Sequence, residues 1–150
     1  MKRRASYEEM LEHLPIQRVI YYDFETSDRL KEGMEHYPEI LEFGACIHNL
    51  KTYHSFITPK VGSNFRMSQG AMKKNGLSKE ALFKMPADQR PTFDKVWADF
   101  LDWLSENGYD LKKHIVFCAF SGFTFDHKLL VHHLKQYNIA LPRTFLLIDP

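Results

Sequence analysis

Residues 18–26 read Arg-Val-Ile-Tyr-Tyr-Asp-Phe-Glu-Thr. From Arg18 to Asp23 the run is rich in β-branched and aromatic side chains and ends in a carboxylate, the pattern of a buried strand with a charged tip. Asp23 and Glu25 are two positions apart, so a strand continuing through Phe24 projects both from one face and turns Phe24 into the core. Two carboxylates held together raise each other's pKa and cost stability unless a cation lies between them. A donor set made of oxygen alone suits a hard ion, Mg²⁺ or Mn²⁺. A structural α/β domain whose strand-end carboxylates have no role is the blander reading of the same pair.

Outward from this strand, Glu39 to His48 and Lys51 to Thr58 read as two more strands. The short Asn49-Leu50 connection makes that pair an antiparallel hairpin. Helical stretches follow at Ser68–Lys74 and Ser78–Lys84, on either side of Asn75-Gly76. Pro91 to Glu106 carries Phe93, Val96, Trp97, Phe100, Leu101 and Leu104 on one helical stripe, and Asn107-Gly108 ends it. His114–Ala119 is a strand, Asp126–Tyr137 an amphipathic helix and Thr144–Ile148 a fifth strand. The order β-β-β-α-β-α-β predicts an α/β fold: a mixed five-stranded sheet, a meander of three antiparallel strands followed by parallel ones, flanked by helices. In such sheets functional groups collect at strand ends along one edge. Before the first strand, Ser6 and Pro15 bracket a short helix over Tyr7–Leu14, so residues 1–16 are a lead-in to a single domain at 17–150.

The bulk properties restrict the rest. With 44% hydrophobic and 26% charged residues, 150 residues suit one packed core. The opening Met-Lys-Arg-Arg leads into polar residues and no apolar run approaches a membrane span, so an intracellular protein, cytoplasmic or nuclear, with no membrane partner is expected. Cys46 and Cys118 each sit in an apolar run and make no zinc spacing, so both are expected as buried reduced thiols. Net charge is +1, but residues 58–85 hold Lys60, Arg66, Lys73, Lys74, Lys79 and Lys84 against Glu80 alone. That stretch is either a solvated face or a patch that tracks phosphates.

A third carboxylate, Asp126, opens the amphipathic helix, where an anion near the positive helix end is favourable in itself. Its surroundings add information: Ala119-Phe-Ser-Gly-Phe-Thr-Phe-Asp126 followed by His-Lys-Leu-Leu130 is a strand, a Gly-containing turn, an aromatic-Asp step and a helix.

From about Arg18 to Asp149 the chain resembles the 3′–5′ exonucleases with four acidic metal ligands and a His base, the group that includes ribonuclease T, polymerase proofreading subunits and the three-prime repair exonucleases, on a ribonuclease H-like fold. Tyr22-Asp23-Phe24-Glu25-Thr26 is similar to the first motif of that family, and Glu39 to Ala45 to its second strand. Phe56-Ile57-Thr58-Pro59 is similar to the strand end after the hairpin, and Asn75-Gly76-Leu77-Ser78 to the turn before the second motif. Phe125-Asp126 with Leu129-Leu130 is similar to the second motif itself. The resemblance implies Asp23, Glu25 and Asp126 as catalytic metal ligands, with two Mg²⁺ or Mn²⁺ ions in a complete site. It also implies Phe24, Thr26, Gly76, Leu77, Ser121 and Gly122 as substrate-binding positions, and single-stranded or 3′-end DNA or RNA as the partner. Homodimerisation is left open.

The chain departs from that pattern in two places. Where relatives often carry His-Asn before the Gly, it has Phe120-Ser121. The third motif, a His with an Asp about five residues on, is absent: none of the eight histidines has an Asp four to six positions later. Asp149-Pro150 reads as a helix opening, so the chain is expected to be cut short, with the missing His and Asp beyond it. The alternative is a catalytically inactive module of the same fold that binds nucleic acid or a protein partner.

Overall fold

Residues 19–47 and 50–150 are described by the computed structural model; the expected helix at Tyr7–Leu14 lies outside them. Strands β1 (Val19–Thr26), β2 (Ile40–Cys46), β3 (Thr52–Phe56), β4 (Ile115–Cys118) and β5 (Phe145–Ile148) form one sheet in the order β3-β2-β1-β4-β5. The β1–β2 and β2–β3 pairs are antiparallel, and β1–β4 and β4–β5 are parallel. This is the mixed sheet expected from the element order, with the parallel half built through helical crossovers.

Alternation along β1 divides the molecule. Ile20, Tyr22 and Phe24 are buried on one face, while Tyr21 and Asp23 are exposed and Glu25 half-buried on the other. Helix α3 (Phe93–Glu106) covers the apolar face with Phe93, Val96, Trp97, Phe100 and Leu104. Phe100 meets Phe43 edge-on at 4.9 Å, and Phe117 stacks on Phe145 at 4.7 Å. Helix α4 (Asp126–Gln136) adds Leu129, Leu130 and Leu134 to this core. Burying side chains of this size contributes about 1.5–3 kcal/mol each, which makes this layer the main source of stability.

Two short helices, α1 (Gln69–Asn75) and α2 (Lys79–Lys84), begin where the Ser-containing turns predict. Ser68 and Ser78 accept from the N–H groups of Ala71 and Ala81 through their side chains. Gly76 ends α1 at φ 65°, the left-handed conformation that glycine adopts without strain.

Several boundaries are shorter than the sequence suggests. Helix α3 starts at Phe93 because Thr92 is its N-cap, and the Pro91 carbonyl accepts from Thr58 N–H instead. Tyr137 is the C-cap of α4 rather than its last helical residue, and β5 begins one residue after Thr144. Cys118 is buried as expected. Cys46 is only half-buried, a correction that follows from its position on the open face of β2. Both are free thiols. Among the described residues no helix is long and apolar enough to cross a membrane.

Candidate active site

The three carboxylates are delivered by two local devices. Strand alternation puts Asp23 and Glu25 on the open face, and the β1–β2 register shifts immediately after Glu25. Asp126 arrives from the other direction, as the first residue of α4. It is 3% exposed, and its Oδ1 accepts from the backbone N–H of Phe24 at 3.2 Å. The residue between the two β1 carboxylates therefore binds the third one through its main chain, while its ring packs among Tyr22, Phe43 and Phe93.

The electrostatics show a cluster short of positive charge. Burial raises the pKa of all three carboxyls. Asp126 is pushed up to about 7, first by burial and then by the charge of Asp23, with Glu25 adding to it. Glu25 is raised further by Asp23 and by Glu42. Against this act the Phe24 N–H and the ammonium of Lys74, in the last turn of α1, which lowers both Asp23 and Glu25. Asn75 fastens that helix to the strand by donating its side-chain N–H to Thr26 O at 3.0 Å.

No group of three or more His, Cys, Asp or Glu side chains among the described residues is drawn closely enough to enclose an ion. The chemistry of the donors nevertheless fits one. Three carboxylates and no nitrogen or sulfur ligand suit a hard divalent cation, and the raised pKa values mark negative charge that such a cation would relieve.

The open face next to Asp23 and Glu25 is hollowed into a groove of about 690 Å³ bordered by Glu42, His54, Cys118 and Phe120. Register explains it. Asp23 lies opposite Gly44, which lies opposite His54, so the row across three strands has no side chain at its centre. In the adjacent row Glu25 lies opposite Glu42, whose carboxylate pairs with the His54 imidazole. Phe120, at the end of β4, is 78% exposed at the rim. Glu42 and His54 are neighbours of the site that the motifs do not mark; their pairing follows from the hairpin register alone.

The remaining expected positions lie in β1, in the turn after α1 and in the turn before α4. Thr26 is buried and donates its hydroxyl to Asp28 O. Leu77 is buried with Leu41 and Leu82. Ser121 is exposed with φ 57°, and its N–H is held by the Asp149 carboxylate. Gly122 is buried against the His127 ring. Of the six cations in residues 58–85, two hold structure: Lys60 donates to Gln136 O and Lys79 to Phe65 O. The stretch is therefore not a free charged face throughout.

No protein-family model matches this sequence, and no curated protein matches it. Solved structures match the fold. One is the nuclease domain of 3′hExo, a DEDDh family member bound to rAMP, at 20% identity over 84% of this chain and 62% of that one, with a TM-score of 0.62. Another is the zinc-bound form of the E. coli ExoI–ssDNA complex, at 10% identity over 87% of this chain and 27% of that one, with a TM-score of 0.64. A 3′-exonuclease recognising the histone mRNA stem-loop matches at 20% identity over 80% of this chain and 52% of that one, with a TM-score of 0.55. The chain has the fold of DEDDh-type exonuclease domains. It spans less than two thirds of the length of each of these structures.

Proposed function

We propose that this chain is a metal-dependent 3′–5′ exonuclease domain, or the N-terminal part of one, that hydrolyses phosphodiesters at the 3′ end of single-stranded nucleic acid. The observation that carries the reading is the convergence of Asp23, Glu25 and a buried, charge-starved Asp126 at one end of β1, on a fold shared with DEDDh exonucleases.

Asp23, Glu25 and Asp126 would be the residues that hold the ions. Mg²⁺ or Mn²⁺ bound there would supply charge neutralisation at the phosphate and lower the pKa of the attacking water. The chain's own residues contribute position and charge. Phe24 N–H fixes the Asp126 carboxylate, and α1, tied to Thr26 by Asn75, carries Lys74 beside the carboxylates as an attractive charge for phosphate oxygens. Phe120 offers a π-face to a base at the groove rim. The 3′-terminal nucleotide would lie across the β1 end, between Gly76-Leu77 and Ser121-Gly122. There the buried Phe24 and Leu77 take part through backbone rather than ring or side chain. DNA and RNA are both compatible with these contacts.

A second reading, a binding module without turnover, is favoured by one observation: no histidine of the sequence has the third-motif Asp after it. A single experiment separates the two. The protein from its intact reading frame is incubated with a 5′-labelled single strand and Mg²⁺ or Mn²⁺. Shortening from the 3′ end, reduced about 10²-fold or more by Asp23→Ala, supports the exonuclease. Salt-dependent binding without nucleotide release supports the module, and degradation unchanged by Asp23→Ala rejects the assigned site.

A further inference from the structure

Each acidic residue that meets across the β1–α4 junction has a sequence neighbour that also meets there. Asp23 follows Tyr22, and Asp126 precedes His127. Tyr22 Oη lies 2.6 Å from His127 Nδ1, and His127 Nε2 lies 2.7 Å from the carbonyl oxygen of Ile148. A carbonyl can only accept, so Nε2 carries the hydrogen and Nδ1 is the acceptor of the Tyr22 hydroxyl. One neutral imidazole thus joins β1, the first turn of α4 and the end of β5.

The surroundings leave this ring one position. Tyr22 is held by edge contacts with Phe24 at 5.3 Å and Phe117 at 5.4 Å, and Phe123 covers the imidazole at 5.2 Å. His127 is 3% exposed. Helix α4 has no side-chain N-cap, since Phe125 occupies that position and makes no capping bond. Its first turn is located instead by the turn before it, where His127 N–H donates to Gly122 O at 2.8 Å, and by the bonds from β1.

We infer that Tyr22 and His127 are positioning residues, a latch that fixes the Asp126 carboxylate relative to Asp23 and so sets the affinity of the site for a divalent cation. This inference rests on the exonuclease reading of the carboxylates. Metal ligands need their geometry held by the groups behind them, and loss of such support typically costs about 10–100-fold in affinity.

The test uses the metal alone. Mn²⁺ is titrated into the protein from its intact reading frame and free ion is followed by electron paramagnetic resonance, well below the melting temperature of each variant measured in EDTA. Tyr22→Phe removes one oxygen and keeps the ring, and is expected to weaken Mn²⁺ binding about tenfold. His127→Leu should weaken it at least as much. The double variant should lose no more than His127→Leu alone, because a broken latch cannot be broken twice. Tyr22→Phe binding within twofold of the parent, or a double variant showing the product of the two losses, overturns the inference. Asp126→Asn is the control for the underlying reading. If it abolishes binding while Tyr22→Phe has no effect, only the latch is wrong. If it binds like the parent, or the parent binds no Mn²⁺, the carboxylate site is wrong and the latch with it.

Discussion

The main-chain N–H of Phe24 and the carboxylate of Asp126 meet at 3.2 Å although 102 positions separate them. One bond of this kind does not balance a buried charge. The Asp126 carboxyl keeps its proton up to about pH 7 in the folded chain, whereas an ordinary aspartate releases it near 3.8. Between those values the native state binds a proton that the unfolded state has lost, so stability falls as pH rises through this window and the full cost is present above 7. Asp126→Asn preserves the acceptor and removes the charge. In EDTA it should be more stable than the parent by about 4 kcal/mol at pH 8, and the gain should shrink steadily as pH falls to 4. Urea denaturation across that range checks it; a gain that does not change with pH would show that the carboxylate is not the source.

His133 reports the opposite sign. It is buried, donates from Nε2 to Pro38 O at 2.8 Å, and burial lowers its pKa to about 4. The unfolded chain takes up the proton near 6.5, so the stability owed to the neutral form is complete above that value and is lost as pH falls toward 4. His127 is lowered too, again by burial. The stability advantage of the parent over His133→Gln should therefore narrow by about 2 kcal/mol between pH 7.5 and pH 5, as read by thermal or urea unfolding.

Gly122 is required by space, not by backbone angle. A methyl group there would stand 2.4 Å from His127 Nε2 and 2.9 Å from Ala119 O. The ring cannot swing aside without giving up Tyr22 and Ile148, and a backbone carbonyl is harder to move. Gly122→Ala should destabilise the chain by about 1–3 kcal/mol. A melting temperature equal to that of the parent would mean that the turn relaxes freely.

Two phenylalanines should behave in contrary ways. Phe100 is fully buried among Phe43, Trp97, Trp103 and Phe117, and Phe100→Ala should cost about 3–5 kcal/mol in unfolding free energy. Phe120 is 78% exposed at the groove rim, so Phe120→Ala should change stability by less than about 0.5 kcal/mol. The same change should weaken binding of a single-stranded oligonucleotide by about 1–3 kcal/mol through loss of stacking. Fluorescence anisotropy at fixed salt measures the second effect, and unaffected binding would remove Phe120 from the interface.

Local signals carried most of the fold. The alternation of β1 identified its two faces, Ser68 and Ser78 marked the starts of two helices, and the Asn49-Leu50 connection gave an antiparallel pair that the register confirms. The positions of Asp23, Glu25 and Asp126 within their elements were legible, because strand alternation and a helix start are properties of short segments. What escaped depends on distance along the chain. Tyr22 and His127 are 105 positions apart, and nothing in either segment announces the other. Glu42 and His54 come together only when the hairpin register is known, and Lys60 and Lys79 look like free surface charge until their carbonyl partners are in place.

The parallel pairing of β1 with β4 has a kinetic meaning as well. It brings Val19 beside Val116 and leads directly to the meeting of Phe24 with Asp126, so Asp126 reaches the β1 strand only after a loop of roughly a hundred residues has closed. Local hairpin contacts can precede that event, but the closure entropy of such a loop must be met first by the packing of α3 and α4. Cation binding at the proposed site would consequently be a late reporter of folding. In a stopped-flow refolding experiment, recovery of Mn²⁺ uptake would lag behind the burial of Trp97 and mark the moment at which the two halves of the sheet become one.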